Sequence, residues 1–410
     1  MDTLKVRDAK DVEEVVRAAI ASEQPLEIIG HGSKRAIGHV TATNALLDLS
    51  ALSAVIAYEP NELIITLQAG APLDDVISLI DSKNQQFAFE PMDCAALLGH
   101  PGRGTVGGMI AAGLAGPRRF KAGGARDHLL GAYAVSGFGD SFKTGGKVVK
   151  NVTGYDLCKL LTGSWGTLAV MTEVTLKVMP KPESERTLLL RGLDDLAANK
   201  AMTAALGSPF DVSGAAHLPD AVAGRLDLGD AAGDRRALTL LRLEGITASV
   251  AHRAGTLASL LNSYGAAETV DDAASAVLWS AIRDVRPFAA SGPVGTHSVW
   301  RVVCPPAAGG ALGQAVVRET GGEVLYDWGG GLIWAAVPTA PDAHASAVRR
   351  LAASASGHAT LIRGSEEVRA AIDVFPPQPA GVADLSERVR KSFDPKAVLN
   401  RGRLQRRATA

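Results

Sequence analysis

Four short segments carry residue types that can hold a phosphate and a flat ring. The first is Gly30-His31-Gly32-Ser33-Lys34, which follows the apolar stretch Leu26 to Ile29. In a glycine turn after a strand, successive main-chain N–H groups can converge on anionic oxygen, and Ser33 and Lys34 add a hydroxyl and a charge. The turn matches neither GxGxxG nor a Walker A loop. The second segment runs from Gly104-Thr105-Val106-Gly107-Gly108 to Gly113-Leu114-Ala115-Gly116-Pro117, with Arg118 and Arg119 directly behind. Its small residues let backbone lie against a flat ligand or its pyrophosphate. The third runs from Gly145 to Leu157, and the fourth is Gly163-Ser164-Trp165-Gly166-Thr167-Leu168-Ala169-Val170. Each alone reads as turn chemistry. Together they point to one elongated ligand, a dinucleotide with a pyrophosphate and a planar ring system.

The glycines support this. Seventeen of them fall between Gly99 and Gly166, interleaved with apolar stretches and not only with Ser and Pro as in a linker. From His100 to Lys181 there are eleven Lys or Arg against four Asp or Glu. The whole chain of 410 residues has a net charge of −1. A local positive field in a neutral protein suits a bound anion, and the overall balance excludes general affinity for nucleic acid or anionic lipid. Aromatic residues make up 5%, too few for base-stacking platforms. Cys94, Cys158 and Cys304 are far apart and form no CxxC pair, which excludes a disulfide framework and a self-contained iron–sulfur cluster. The opening Met1 to Lys5 lacks a signal-peptide layout and no apolar run is long enough to span a bilayer, so a cytoplasmic chain is expected.

The elements that must position these segments alternate. Helices are expected over 11–22 and 72–82, and strands over 26–29, 46–49, 54–58, 63–68 and 168–178. The breaker Pro180-Lys181-Pro182 marks a domain boundary. Beyond it, strands are expected over 187–190, 237–243, 298–303 and 331–337, and helices over 193–206, 249–263 and 343–355. A second breaker, Phe375 to Pro379, precedes a last helix over 384–392. The expected class is α+β, with domains over 1–182 and 183–374 and a C-terminal segment over 375–410.

These segments resemble the FAD-binding domain of the vanillyl-alcohol oxidase/PCMH superfamily of flavoproteins. The resemblance covers about residues 1–180 and returns at Phe393-Asp394-Pro395-Lys396-Ala397-Val398-Leu399-Asn400-Arg401-Gly402-Arg403, although Arg401 stands where Pro is usual. Within the superfamily, Gly113 to Arg119, Arg126-Asp127 and Lys150 to Leu157 are similar to the family of FAD-binding subunits of bacterial glycolate oxidases. Tyr326 to Gly330 and Gly357 to Thr360 carry the likeness into the second half. The resemblance implies a PCMH-type FAD-binding domain of two subdomains, followed by an α+β cap domain with an antiparallel sheet. It implies that Gly30, His31, Gly32, Ser33 and Lys34 hold the FAD pyrophosphate. Gly104, Thr105, Val106, Gly107, Gly108, Gly113, Ala115 and Gly116 would line the flavin side, with Asp127 near the cofactor. Ser164, Gly166, Thr167, Leu168 and Val170 would set backbone against it. Some members tether FAD through a histidine near such a loop; His31 reads as a turn histidine.

The departures shape the expected role. Larger flavin subunits and D-lactate dehydrogenase relatives carry Gly-Glu-His-Gly in the cap, and this chain does not. Ser356-Gly357-His358-Ala359 comes nearest, without the acidic neighbour. Oxidation of a hydroxy acid needs a base and cations for the carboxylate. His358 is the candidate base, with Arg283, Arg286 or Arg363 as cations, and a core or surface histidine is its plainer reading. The resemblance therefore implies a subunit that works with a catalytic flavin subunit and an iron–sulfur subunit on a small 2-hydroxy acid, meeting a membrane only peripherally through partners. Its rivals are a stand-alone FAD-dependent dehydrogenase of a 2-hydroxy acid and a non-redox scaffold.

Overall fold

The computed structural model describes residues 2–41, 43, 45–146, 154–226 and 236–405. Strands β1 (Asp2–Lys5), β2 (Leu26–Ile29) and β3 (Ala45–Asp48) form a parallel sheet in the order β1-β3-β2. The crossover from β1 to β2 is the helix Ala9–Ser22. The Asp8 carboxylate caps it by accepting from Lys10 N and Asp11 N, and Val12, Val16 and Ala19 form its buried face.

Strands β4 (Val55–Glu59), β5 (Ile64–Gln68), β6 (Gln85–Gln86), β7 (Leu129–Ser136), β8 (Ser141–Gly145), β9 (Ala169–Lys177) and β10 (Met179–Pro180) follow. β6 and β10 make a short ribbon, and the rest form an antiparallel sheet in the order β4-β5-β9-β7-β8. The helix Val106–Ala112 packs on this sheet through Val106, Met109 and Ile110. The first glycine segment thus follows β2, the second surrounds the helix Val106–Ala112, and the fourth leads into β9.

The second half holds one antiparallel sheet of β11 (Ser184–Arg191), β12 (Gly214–Leu218), β13 (Leu238–Gly245), β14 (Glu268–Asp271), β15 (Ser298–Val303), β16 (Glu323–Asp327), β17 (Leu332–Val337) and β18 (His358–Arg363). Its order is β14-β11-β13-β12-β16-β17-β15-β18. Leu188, Leu241, Trp300 and Tyr326 join a core with the helices Asp195–Leu206, Thr247–Leu260, Gly309–Thr320 and Ala345–Ser354. Leu189, Leu240, Val299 and Trp334 join another with the helix Asp272–Arg283 and with Met92, Leu97 and Leu114 of the first half. The two halves of the chain therefore share a hydrophobic core along their seam.

Strands β12, β14, β16 and β18 and the helices Asp272–Arg283 and Gly309–Thr320 were not expected from periodicity. Strand β12, Gly-Ala-Ala-His-Leu, has no β-branched residue, and the helix Gly309–Thr320 opens on two glycines. Gly309 and Gly313 are there for closeness: a Cβ would lie 2.2 Å from Gly330 O and 2.0 Å from Tyr326 Oη.

Candidate cofactor site

β2 ends on Gly30 and hands the chain to a turn in which Gly32 has φ +71°, a left-handed conformation that glycine adopts without strain. No described residue accepts from the main-chain N–H groups of His31, Gly32, Ser33 or Lys34. Ser33 Oγ donates to Arg103 O at 3.1 Å, and Lys34 Nζ donates to the same oxygen at 3.3 Å. The turn is thereby tied to the loop that carries Gly104. A Cβ on Gly104 (φ +92°) would lie 2.2 Å from Ser33 Oγ, and one on Gly30 would lie 2.4 Å from Thr105 Oγ1. A Cβ on Gly107 would lie 2.8 Å from Ala69 O. The two loops interlock where no side chain fits, and they leave a nest of free N–H donors beside a lysine. That donor set suits a pyrophosphate.

Gly30, His31, Gly32, Ser33, Lys34, Thr105, Gly107, Gly108, Gly166 and Val170 all line one cleft. The other residues named from the sequence do not line it. Val106 and Leu168 are buried in the core. Gly104 packs on Ser33, and Gly113, at φ +63°, packs against Gly163. Ala115 bridges Pro91. Gly116 lies against Glu90, and its carbonyl accepts the Trp328 indole N–H at 3.0 Å. The Asp127 carboxylate accepts from Gly124 N at 2.8 Å. Thr167 Oγ1 donates to Ser164 O at 2.7 Å, and Ser164 Oγ is buried without a partner among the described residues. Residues 147–153 of the third glycine segment lie outside the described residues.

Asn400 and Arg403 are among the cleft residues not named as site candidates, as are Arg35, Ala69 and Ala111. Asn400 Oδ1 accepts from Ile28 N at 2.8 Å, and Asn400 Nδ2 donates to Trp165 O at 2.7 Å. Arg403 donates to Arg35 O, Ile37 O and Glu27 Oε1 at 2.8–2.9 Å. Both line the cleft. Leu399 bridges Leu26, so the last segment closes on β2 from outside. The likeness of Phe393 to Arg403 to the superfamily's closing segment was the available signal. Burial pushes the Glu27 carboxyl up, but hydrogen bonds and charge from Arg35 and Arg403 outweigh it and hold the group below its ordinary range.

At the seam between the domains lies a buried ionic network. Arg242, on β13, is 1% exposed and grips Glu90 at 2.8 and 3.0 Å. Arg118 donates to Glu244 at 2.9 Å through Nε and to Glu90 at 2.7 Å through its main-chain N–H. Glu185 stands 3.7 Å from Arg118. Burial alone would raise the Glu244 carboxyl, but Arg242 and Arg118 pull it down to about 2. Glu185 goes the other way: burial, reinforced by Glu244, raises it against the pull of Arg242.

The expected carboxylate cations are already engaged. Arg363 donates to Leu97 O, Phe288 O, Val294 O and His297 O, and Arg283 holds Asp284 at 2.7 and 2.8 Å. Arg286 lies 3.7 Å from the same carboxylate. His358 and Arg363 occupy opposite ends of β18, about 17 Å apart along the strand. The structure does not bring this set together.

The FAD binding domain family matches residues 3–145. The glycolate oxidase subunit GlcE of Escherichia coli (strain K12) is 31% identical over 395 residues, 95% of each chain. The chain belongs to the GlcE family of glycolate oxidase subunits. It is an FAD-binding flavoprotein of PCMH type, and the nest, the interlocked glycines and the lysine fit that cofactor's diphosphate. The glycolate oxidase subunit GlcD of Bacillus subtilis (strain 168) is 34% identical over 44% of this chain and 38% of its own. A solved structure of p-cresol methylhydroxylase with substrate bound superposes with a TM-score of 0.73 at 14% identity, covering 98% of this chain and 88% of that one. That likeness concerns the fold alone. No helix among the described residues is long and apolar enough to cross a membrane.

Proposed function

We propose that this chain is the FAD-binding subunit of a complex that oxidises glycolate to glyoxylate and passes the electrons to an iron–sulfur subunit. The observation that carries this reading is a match to a glycolate oxidase subunit that runs through both domains. The relatives named GlcD and D-lactate dehydrogenase match less than half of the chain. When bound, FAD accepts an electron pair and can release single electrons. In this reading the chain's own residues do the holding. The His31–Lys34 N–H groups and Lys34 take the diphosphate, the loop at Gly104 fixes the turn, and Asn400 ties the two cleft walls together.

The division of labour has its own support. Cys94, Cys158 and Cys304 are each buried, and no group of metal-ligating side chains occurs among the described residues. The clusters would then sit on another chain. Asp127, Ser164, Thr167, Leu168, Gly113, Ala115 and Gly116 act in this reading by shaping the walls from behind.

The test is anaerobic glycolate added to the complex isolated through this chain. Bleaching of its flavin, with electrons reaching an acceptor only when the iron–sulfur subunit is present, is the expected result. Turnover of glycolate with a soluble dye by this chain alone, at the rate of the complex, would overturn the subunit reading. Failure of the purified chain to take up FAD would leave the scaffold.

A further inference from the structure

Two arginines at the domain seam, Arg119 and Arg301, form no ion pair with any described residue, and a histidine stands beside them. Trp328 follows β16 and is anchored to the FAD-binding domain through its indole N–H. The guanidinium carbons of Arg119, from the first domain, and Arg301, on β15, lie 5.7 and 5.1 Å from the centre of its ring. His358 opens β18, opposite Val303 and two residues along from Arg301 on the neighbouring strand. Burial, and then the charge of Arg301, push its imidazole below the ordinary value.

Among the described residues, Arg119, Arg301 and His358 have no side-chain hydrogen bond and no carboxylate within ion-pair distance. The other arginines of the seam are all satisfied: Arg118 and Arg242 by glutamates, Arg283 by Asp284, Arg363 by four carbonyls. Asp327 is near enough for its charge to be felt at Arg301 but does not pair with it. Burial pushes Asp327 up to about 7, so it is only partly charged at neutral pH. A fold that desolvates a guanidinium beside a second cation, with no carboxylate paired to it, leaves a favourable place for a mobile anion.

We propose that Arg301, with Arg119 and His358 around Trp328, forms a carboxylate-binding subsite that takes the anionic end of a small 2-hydroxy acid. This rests on the hydroxy-acid reading above and gives it a location in this chain. The planar guanidinium offers paired donors that match a carboxylate, and the indole supplies a flat apolar wall. The subsite is linked to the cofactor cleft through the chain: Ala111 lines the cleft, and Gly116, five residues on, accepts the Trp328 indole N–H. The structure thus replaces Arg283, Arg286 and Arg363 as the cations beside His358.

The test uses the full FAD-loaded chain, with glycolate, D-lactate and acetate as probes, followed by calorimetry and by tryptophan fluorescence. Wild type is expected to bind glycolate. Arg301→Ala is expected to weaken binding at least tenfold and Arg301→Lys to recover part of it, with FAD content and Tm unchanged. Trp328→Phe is expected to abolish the fluorescence change while the heat remains. Arg301→Lys also serves if the alanine variant does not fold. Binding of all three probes that is indifferent to Arg301, or no binding to wild type, overturns the subsite. If acetate binds through Arg301 while the complex leaves glycolate untouched, the subsite stands and the glycolate reading falls. If the complex oxidises glycolate with the same KM in Arg301→Ala, the glycolate reading stands and the subsite falls.

Discussion

In the cofactor cleft the ligand-facing groups are mostly backbone. The N–H groups of His31 to Lys34 have no acceptor among the described residues, and Gly30, Gly104 and Gly107 allow close backbone approach. At the cap seam the contacts are long charged side chains, with Arg118 and Arg242 held among Glu90, Glu185 and Glu244. A backbone site needs particular residues at fixed spacing in one stretch of chain. A side-chain network needs only that charges from distant positions arrive together, here residues 90, 118, 185, 242 and 244. The first leaves a local trace in sequence and the second leaves none.

The comparison is broken most sharply at Arg242. Arg242→Met removes both bonds to Glu90 and strands buried carboxylates. A loss on the order of 3–5 kcal/mol is expected in urea unfolding. Pairing it with Glu90→Gln should cost less than the sum of the two, because the stranded charge is gone. Strict additivity would mean that the two side chains do not form one unit.

The cleft should respond in a different observable. Gly104→Val puts a branched side chain at φ +92° and against Ser33. FAD affinity is expected to drop at least about 100-fold, or roughly 2.7 kcal/mol, while the cap keeps its stability. The measurement is flavin fluorescence on titration with FAD, beside near-UV circular dichroism for the fold. Asn400→Ala is the milder version. It removes two hydrogen bonds that link β2 to Trp165, worth about 1–3 kcal/mol together. About a tenfold weaker hold on FAD is expected, with Asn400→Asp intermediate because only the Ile28 bond survives.

The same contrast explains what was legible. The glycine segments pointed to a dinucleotide, the resemblance made it FAD, and ten of the residues named there share one cleft, where close approach of backbone demands glycine at Gly30 and Gly107. Asn400 escaped: its role depends on the chain's last segment returning to β2, a contact some 370 residues apart. In the cap, periodicity found β11, β13, β15 and β17 and overlooked the short strands β14 and β16, β18, and β12, which is built largely from Gly and Ala. The arginines fared worst. Their types were visible, but their partners were not. Arg363 turned out to be bound by four carbonyls, and Arg301, unremarked in the sequence, forms no ion pair with any described residue.

The finest test of the seam is electrostatic and has a sign on each side. Glu244 is held at about 2, well below its ordinary value, by Arg242 and Arg118 once burial has been overcome. Its contribution to stability is present above about pH 4.5 and is lost as pH falls towards 2. Glu185 is raised by burial and by Glu244. Ionising it costs the fold, so stability attributable to it is present below the ordinary carboxyl value and is lost as pH rises through the raised one. The two cations Arg118 and Arg242 are already claimed by Glu90 and Glu244, and Glu185 is the surplus anion. Glu185→Gln, which keeps an acceptor for the Ser275 hydroxyl, should therefore leave the protein as stable or slightly more stable at pH 7, by less than about 1 kcal/mol. Its Tm should converge with wild type near pH 4, where Glu185 is protonated anyway. Glu244→Gln should lose stability at pH 7 and converge with wild type only towards pH 2. A Glu185→Gln variant that loses stability at pH 7 as Glu244→Gln does would show that both carboxylates serve the arginines equally, and that the seam carries no surplus charge.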